Sequence, residues 1–549
     1  MSNLTGQPII ILKEGTERNR GRQAQHNNIA AARAVANAVQ STLGPRGRDK
    51  LLVDTLGDVL ITNDGATILD ELDVQHPAAK MLVQVSKTVD EQTGDGTTSS
   101  VILTGELLRR AEDLLEMKVH PTLIVQAYKR AADKAIEYLK EMGVKADSDE
   151  QLVNIAKTAL NSKAVAGERE FLAKFAVEAV KSVMEEGSAD LERISIIQKH
   201  GKSLANSELI KGVVIDKEVV HSRMPKEISG AKIALLNLAL ENKKTEFDAK
   251  IRISDANQVS AFLDEEERII QDMVDKIIKT GANVVFSQKG IDDLAQHFLA
   301  KAGILAARRV KKSDMERLAR STGAKIITNL DDLSADDLGI CGAVNEDKLG
   351  EEKVIYVREA PHAKSVAVIL RGANKYFTDE AERAFHDSLC VVRDALEDGT
   401  IVGGGGFVEI NLSKKLAEYA KTFAGREQLA VQAFAESLEI IPKTLAENAG
   451  LTSMDILIQM RNTNKGFNIL AEKDHVMDTF QAGIVEPIRV KKQVISSAAE
   501  AAELILRIDD VIMSKSSGDA GAPPGAGGMP PGMGGMGGMG GMGGMPPMM

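Results

Sequence analysis

QTGDGTTSSVILTGELL, residues 92–108, joins one aspartate between two glycines to four hydroxyl residues and then to an apolar run with helical spacing. Glycines let a backbone approach a ligand closely. The first N–H groups of a helix have no partner within it, and the helix dipole places about half a positive charge there. The stretch therefore predicts a helix start that attracts a phosphate group.

Asp95 is the single carboxylate within the glycine and hydroxyl segment. A phosphate would repel it unless a cation lay between the two, so the pattern indicates Mg²⁺ together with the phosphate. The hydroxyls of Thr97, Thr98 and Ser99 add hydrogen-bond donors. An ordinary helix cap explains the same residues, because Asp and Thr are favoured at that position. On this stretch alone the two interpretations are nearly even.

Other turns carry residues that a ligand could contact. Gly44 and Pro45 follow a predicted helix and either expose backbone groups to a ligand or simply end the helix. The NDG sequence around Asp64 predicts a hairpin turn, which is favoured over a role in polarising water. The glycine run at 403–406 is either a tight turn or a contact for sugar or phosphate. Glu486 precedes a proline and is either a solvated turn residue or an acceptor for a ligand hydroxyl.

Familiar nucleotide and metal motifs do not fit. HGKS at 200–203 ends like a P-loop, but Ile196 stands where its first glycine is required. Outside the glycine-rich tail GxGxxG is absent, and neither HExxH nor GxSxG occurs. An ATP site in this chain would therefore need a different phosphate loop.

Composition excludes several classes. A length of 549 residues predicts about three or four domains. The net charge of -11, with 13 Phe, 5 Tyr and no Trp, argues against nucleic-acid binding. Two cysteines, Cys341 and Cys390, form no disulfide framework or zinc pattern, which predicts the cytoplasm. No signal peptide is recognised, and no run approaches about 18 apolar residues, so no membrane span is predicted.

Helical and strand-like patterns occupy different parts of the chain. Helical spacing dominates both ends, at 23–41, 101–141, 170–186, 411–450 and 496–515. Between them, short β-branched runs alternate with helical stretches, which predicts an α/β module over about 215–365. Its candidate strands are 231–240, 282–290, 303–310, 324–328 and 365–372. A charged excursion interrupts the module after its first strand, and the chain ends in a low-complexity tail that we expect to be disordered.

Together these motifs resemble the group II chaperonins of the archaeal thermosome type, from about Pro8 to Lys515. Eight ordered stretches carry the resemblance: TLGPRGRDK, NDGATIL, GDGTTSSVILTGELL, LNSK, KKTEFDAKI, HDSLCVVRDAL, VGGGG and GIVEPIRVKKQ. The resemblance implies a multidomain α and α/β chaperonin fold with a mainly helical equatorial ATP-binding domain, an intermediate domain and an apical α/β domain. Their implied bounds are 1–145 and 404–517 (equatorial), 146–214 and 368–403 (intermediate), and 215–367 (apical). Within the apical domain 241–275 would be a helical lid, and 518–549 would be the disordered Gly/Met-rich tail.

The resemblance also implies roles for single residues. ATP would bind with Mg²⁺ held by Asp95, while Asp64 and Asp387 would orient and activate the attacking water. Lys163, in LNSK, would sense the γ-phosphate. Without the resemblance, the sequence around Asp387 is typical of any amphipathic helix. The other implied nucleotide contacts are Gly44, Pro45, Gly96, Thr97, Thr98, Ser99, Gly404, Gly405, Asn468 and Glu486.

The implied function is ATP-driven encapsulation and folding of nonnative protein clients. Identical or paralogous subunits would form two stacked, eight-membered rings. Met315, Leu318 and Ala319 on a helical stretch at 313–323 are either client contacts or, as the default, core residues. Two rival classes remain: a metabolic kinase-like enzyme, and a scaffold in which the GDG segment is only a helix cap. Neither accounts for the eight ordered stretches.

Overall fold

A computed structural model describes residues 17–53, 55–161, 165–242, 256–349, 352–361 and 365–513. The α-helices within them are α1 Arg22–Gln40, α2 Gly65–Glu71, α3 Pro77–Thr93, α4 Thr97–Glu116, α5 Pro121–Glu141, α6 Asp149–Leu160, α7 Arg169–Val183, α8 Ala256–Lys279, α9 Asp293–Lys301, α10 Lys312–Thr322, α11 Lys375–Asp398, α12 Phe407–Ala420, α13 Arg426–Ser437, α14 Ile440–Asn448, α15 Ser453–Thr463 and α16 Ile488–Leu506. None of these helices is both long enough and apolar enough to cross a lipid bilayer.

The strands are short except at the centre of the chain. They are β1 Glu17–Arg20, β2 Lys50–Val53, β3 Val59–Thr62, β4 Val144–Lys145, β5 Met184–Glu185, β6 Ser188–Ala189, β7 Ile194–His200, β8 Glu208–Lys211, β9 Val213–Ile215, β10 Glu227–Leu236, β11 Val284–Ser287, β12 Leu305–Ala307, β13 Ile326–Ile327, β14 Gly339–Leu349, β15 Glu352–Arg358, β16 Val366–Gly372, β17 Thr400–Gly403, β18 Gly466–Phe467, β19 Val476–Met477, β20 Val485–Pro487 and β21 Asp510–Met513.

Both ends of the chain build one helical body, which we define as α1–α5 with α12–α16. Helix α16 packs on α3, α4 and α5, and α1 packs on α4. Along α4 the apolar side chains recur at helical spacing, and Val101, Leu108 and Ala111 are completely buried. Strand β1 pairs antiparallel with β21, so the two ends of the described chain meet.

The centre of the chain forms an α/β body around one sheet, with strand order β12-β11-β10-β14-β15-β9 and β13 on β10. The pairs joining β10, β11 and β12 are parallel, whereas β14 runs antiparallel to both β10 and β15. Alternate residues of β10 enter different cores, Ile233 and Leu235 on one face and Ala234 and Leu236 on the other. Both faces are therefore covered along the second half of β10, which explains why residues 233–236 are all apolar and buried.

A three-stranded connecting sheet, β7-β16-β8, lies between these two bodies in the chain. Strand β16 runs parallel to β7, and α11 packs on β7, β16, α6 and α7. The β16 side chains Val366, Val368 and Leu370 belong to the same core as the helical body. The alternate residues Ala367 and Ile369 pack with Val214 and Tyr356 of the α/β body.

The strand predictions at 231–240, 282–290, 303–310 and 324–328 are confirmed as β10 to β13. The run at 365–372 is a strand too, but assigning it to the α/β module was wrong, because β16 pairs with β7 and β8. The long antiparallel strands β14 and β15 were not predicted. Part of the charged excursion forms α8, whereas 243–255 and the C-terminal tail lie outside the described residues.

The helical predictions are confirmed except at the C-terminus. The helix predicted at 496–515 is confirmed as far as Leu506 and wrong beyond it: α16 spans Ile488–Leu506, and β21 at 510–513 pairs with β1. The hairpin predicted around Asp64 is also wrong, since β3 ends at Thr62 and α2 begins at Gly65. On α10, Met315 and Leu318 are fully buried in the core of the α/β body, which favours the core interpretation over client contact.

Candidate functional site

The connection between α3 and α4 is built from left-handed glycines. Gly94 closes α3 with φ +62°, and Gly96 precedes α4 with φ +84°, a region that side chains rarely adopt. A methyl group on Gly94 would lie 2.5 Å from Cβ and Sγ of Cys390. The Thr93 hydroxyl lies 2.8 Å from the Val89 carbonyl oxygen and 2.9 Å from that of Asp95. The Thr93 hydroxyl therefore ties the connection to α3, and Gly94 packs closely against Cys390 of α11.

The start of α4 has the features of an anion site. Among the described residues no side chain caps this helix, so the first amides, those of Thr97, Thr98 and Ser99, have no acceptor within it. Asp95 bends back and accepts the Gly96 N–H at 2.6 Å. Bare amides and one carboxylate thus stand side by side, which corrects the helix-cap alternative: Asp95 does not cap α4.

A cleft of about 390 Å³ opens beside this helix start. Eight of the residues expected to contact nucleotide line it: Gly44, Pro45, Asp95, Gly96, Ser99, Gly405, Asn468 and Glu486. They come from five separate segments of the chain, namely four turns or helix ends and strand β20. The folding of the helical body is what brings them into one cleft.

Five further expected residues are described but do not line the cleft. Thr97, Thr98 and Gly404 lie directly beside residues that do. Asp64 caps α2, accepting the Thr67 amide at 2.9 Å and its hydroxyl at 2.7 Å. The turn holding Asp64 touches the start of α4, because a methyl group on Gly65 would lie 2.4 Å from Oγ1 of Thr98.

Asp387 and Lys163 complete the expected set. Asp387 is half-buried on α11, one turn before Cys390, the residue against which Gly94 is pressed. Helix α11 thus carries Asp387 past the glycine connection. Burial raises the pKa of the Cys390 thiol to about 12, so it stays protonated. Lys163 lies outside the described residues.

The far end of the cleft is built differently, around a buried ammonium. Lys491 Nζ lies 2.9 Å from Oε1 of Glu409 and 2.7 Å from Oε2 of Glu486. Burial raises the pKa of Glu486, and Lys491 opposes that shift. Burial also disfavours the charged form of Lys491, but the two glutamates outweigh it and raise its pKa. Sequence reasoning missed Lys491, although it stands on the buried face of α16, three residues before Val494.

The third wall of the cleft is α6, which was not predicted to contribute. Asn154, Lys157 and Asn161 line the cleft from this helix, together with Arg169 at the start of α7. Lys157 pairs with Glu170 at 3.3 Å, and Arg169 donates to Oδ1 of Asn161 at 2.8 Å. The cleft therefore spans the helical body and the helices that pack with α11.

An ion cluster joins α11 to α16 close to the cleft. Arg489 lies 3.1 Å from Asp394 and 3.0 Å from Glu397, and Arg393 lies 2.8 Å from Asp394. Arg393 also donates to the carbonyl of Gln92, two residues before Gly94, at 3.2 Å. Burial raises the pKa of Asp394 to about 6, against the two arginines. The cluster fixes α11, the helix that carries Asp387, relative to α3 and α16.

The described residues contain no group of three or more His, Cys, Asp or Glu side chains arranged to hold a metal ion. Of the described residues that line the cleft, Asp95 supplies the one carboxylate at the helix start. Mg²⁺ is commonly held by one or two carboxylates, with substrate phosphates and water completing its coordination. The donors present fit a cation that arrives with a phosphorylated ligand, and they do not fit a site made by protein side chains alone.

Known proteins are similar to this chain over nearly its whole length. Residues 35–516 match the TCP-1/cpn60 chaperonin family. The chain is 53% identical over 534 residues to thermosome subunit beta of Methanothermobacter thermautotrophicus, covering 96% of this chain and 99% of that protein. It is 54% identical over 525 residues to a thermosome subunit of Pyrococcus abyssi, with coverages of 94% and 96%. For thermosome subunit beta of Archaeoglobus fulgidus the identity is 51% over 540 residues, with coverages of 96% and 99%.

Proposed function

The chain belongs to the TCP-1/cpn60 chaperonin family, as a group II chaperonin of the archaeal type, and on that premise we propose that the cleft beside α4 binds ATP. Membership makes the protein an ATP-dependent chaperonin, an ATPase whose turnover serves protein folding. Its subunits work as oligomeric ring assemblies that act on client proteins.

One observation carries the assignment of the cleft. The uncapped start of α4, with Asp95 and Gly96, opens into the same cleft as Asn468 and Glu486. Bare amides at a helix start suit phosphate, and side chains with hydrogen-bonding oxygens suit a sugar or base. The phosphates would contact Gly96, Thr97, Thr98 and Ser99. The nucleoside would lie among Gly44, Pro45, Gly404, Gly405, Asn468 and Glu486.

Asp95 would hold Mg²⁺ together with the phosphates. When bound, the ion neutralises charge that develops on the phosphoryl oxygens during transfer. The chain's own contribution at this point is geometric, because the Thr93 hydroxyl and the Gly96 amide fix the Asp95 backbone and side chain. A carboxylate held in this way needs no rearrangement when the ligand binds.

Hydrolysis of ATP to ADP and phosphate requires a water molecule aligned with the γ-phosphorus. We assign the positioning and deprotonation of that water to Asp387 and Asp64. Asp64 is held by its two bonds to Thr67, and α11 carries Asp387 beside the glycine connection. Groups that orient a nucleophile and accept its proton typically contribute about 10² to 10⁴ in rate.

Coupling to movement would pass through α6 and α7. Helix α6 lines the cleft and packs on α11, which in turn packs on the connecting sheet. We assign Lys163, between α6 and α7 in the sequence, to sensing the γ-phosphate. ATP drives a change only if it binds one arrangement of these helices better than another.

The proposed domains are equatorial (1–145 and 404–517), intermediate (146–214 and 368–403) and apical (215–367). Two stacked rings of eight subunits would enclose nonnative clients in the cytoplasm. The lid at 241–275 would close in response to ATP binding and hydrolysis, and the tail at 518–549 would project into the cavity.

The test uses the full-length protein. Electron microscopy with and without Mg-ATP, beside an ATPase assay, should show eightfold double rings whose apical openings close with nucleotide, and hydrolysis without any small-molecule acceptor. A protein that stays monomeric or ignores Mg-ATP would refute the proposal. Phosphorylation of an added small molecule would favour the rival kinase.

A further inference from the structure

A buried lysine among the residues that line the cleft, Lys491, has no part in the chemistry assigned above. The Lys491 side chain is 8% exposed, and Glu409, with which it pairs, is 5% exposed. Removing ionised groups from water is costly, and it is offset only when each charge finds well-placed partners. A charge network of this kind therefore needs a reason, and its position in the wall of the cleft suggests one.

The helix that carries Lys491 does not supply that reason. Lys491 is the fourth residue of α16, and a cation near a helix start is disfavoured by the helix dipole. Its neighbours on the same face, Val490 and Val494, pack against Gly96, where a methyl group would lie 3.0 Å and 2.8 Å from them. The position of the ammonium is therefore explained only by the two carboxylates that it contacts.

Those carboxylates differ in where they lie. Glu409 is on α12, behind the glycine run, and its Oε2 is buried with no hydrogen-bond partner among the described residues. Glu486 is on β20, its side chain is 20% exposed, and it lines the cleft. Lys491 thus links an anchor within the protein to a carboxylate at the cleft wall.

The glycine run restricts Glu486 from its other side. A methyl group on Gly404 would lie 2.6 Å from Oε1 of Glu486, so that oxygen rests against the Gly404 backbone while Oε2 faces Lys491. One ammonium between two carboxylates leaves an excess negative charge, and the exposed part of Glu486 is where a ligand donor can reach it. A sugar hydroxyl is such a donor.

We propose that Lys491, anchored by Glu409, is a positioning residue that holds Glu486 as the acceptor for a ribose hydroxyl of the bound nucleotide. The inference rests on the proposed function, because it takes the cleft to be the ATP site. Its consequence is a preference for ribonucleotides: a bound deoxy analogue would cover the Glu486 acceptor without supplying the hydroxyl donor, and that loss penalises the analogue.

The experiment measures kcat and KM of the full-length protein with ATP, 2′-deoxy-ATP and 3′-deoxy-ATP. The wild-type protein should prefer ATP over one analogue by roughly 10-fold or more in kcat/KM. Lys491→Met should raise the KM for ATP about 10-fold, change kcat by less than about 3-fold and remove the preference. Lys491→Arg should restore part of the preference, since it retains the charge.

The adjacent Lys492 provides the matched control, because it is exposed on the same helix. Lys492→Met should behave as wild type with all three nucleotides. If Lys491→Met does not fold, Glu409→Gln replaces it: loss of the anchor's charge should lower the preference while the Lys491–Glu486 pair remains.

The outcomes separate the two proposals. Wild-type binding of ATP with an unchanged ribose preference in folded Lys491→Met, or in Glu409→Gln where Lys491→Met does not fold, would overturn this inference and leave the proposed function standing. A folded wild-type protein that binds none of the three nucleotides would remove the proposed function, and this inference with it. A preference lost equally in Lys492→Met would also overturn it, because a general change in surface charge would then be responsible.

Discussion

The two ends of the cleft recognise their ligand by different physical means. At the α4 end, a short contiguous segment places backbone amides and Asp95 beside the cleft through two left-handed glycines. At the other end, Glu409, Glu486 and Lys491 come from three different elements and are held by buried charge. The first arrangement follows from local chain geometry, whereas the second exists only after the helical body has packed.

This difference decides what each end tolerates. A backbone site is damaged by added atoms, since there is no side chain to lose. A side-chain network is damaged by removal of one charge, because its partners are then left buried and unpaired. The predictions below test that contrast in order of decreasing effect.

The largest effect is expected where chemistry, not binding, is at stake. Asp387→Ala should leave the Kd for ATP unchanged and lower the turnover number by roughly 10² or more, as for loss of a positioned base. Nucleotide titration and a steady-state ATPase assay would measure the two effects. Asp379→Ala, two turns earlier on α11, is the control. Unchanged turnover in Asp387→Ala would refute its assigned role.

The second-largest effect is expected at the α4 end of the cleft, where the chain backbone forms the site. Gly94→Ala introduces a methyl group 2.5 Å from Cys390 at a left-handed position, whereas at Gly450, also left-handed at φ +74°, no atom lies within 4 Å of the added group. Overpacking costs about 1–3 kcal/mol, so Gly94→Ala should destabilise the protein by about 2 kcal/mol more than Gly450→Ala. Denaturant unfolding measures the difference. Equal losses would show that the glycine connection is not tightly packed on α11.

A smaller effect is expected for the ion cluster that joins α11 to α16. The pKa of Asp394 is raised by burial to about 6, above the ordinary 3.8. A raised carboxyl pKa stabilises the fold fully below the ordinary value, and this contribution is lost as the pH rises through 6. Between pH 5 and pH 7 the loss is about 1 kcal/mol.

Asp394→Asn stays neutral and should not show that loss. The difference in unfolding free energy between wild type and variant should therefore shift by about 1 kcal/mol from pH 5 to pH 7, in the direction that disfavours wild type at pH 7. Urea unfolding at both values measures the shift. A constant difference would mean that Asp394 titrates as an ordinary carboxyl.

The smallest effect is expected at the rim of the third wall. Glu170 pairs with Lys157 at 3.3 Å, but both side chains remain in contact with solvent. Exposed pairs contribute little, because water screens them and ordering long side chains costs entropy. Glu170→Gln should leave the melting temperature and the KM for ATP within measurement error. A clear loss of ATP affinity would give the α6 wall a larger role than its exposure suggests.

How far the sequence could predict this molecule follows the same contrast. The α4 end of the cleft could be predicted because the glycines, Asp95 and the hydroxyl residues are adjacent in the chain. Helix α4 begins where that segment predicts a helix start. The α/β module was recognised from its apolar strands. The long antiparallel strand β14 was missed, because glycines interrupt the apolar residues of its first half and consecutive charged residues, Glu346 to Lys348, occupy its second half.

The other end of the cleft, proposed to bind the nucleoside, could be predicted only in part. Glu486 was a candidate because it precedes a proline. Lys491 is one of two adjacent lysines in the sequence, and only the packing of α16 distinguishes it from Lys492. The turn at Asp64 was misread because NDG suits both a hairpin and a helix cap, and the sequence does not say which element follows. Asp387 had no signal of its own, since its setting on α11 depends on contacts with α3 and α16.

The pairing of β1 with β21 carries a consequence for how the protein is made. The core of the helical body needs α1 and α16, which lie near opposite ends of the chain, so it cannot be completed until translation has nearly finished. The sheet of the α/β body uses only 213–358 and can form earlier on the ribosome. During synthesis, half of the future helical body must therefore wait with apolar surface uncovered, which makes a protein of this design a candidate for assistance by the very assemblies it builds.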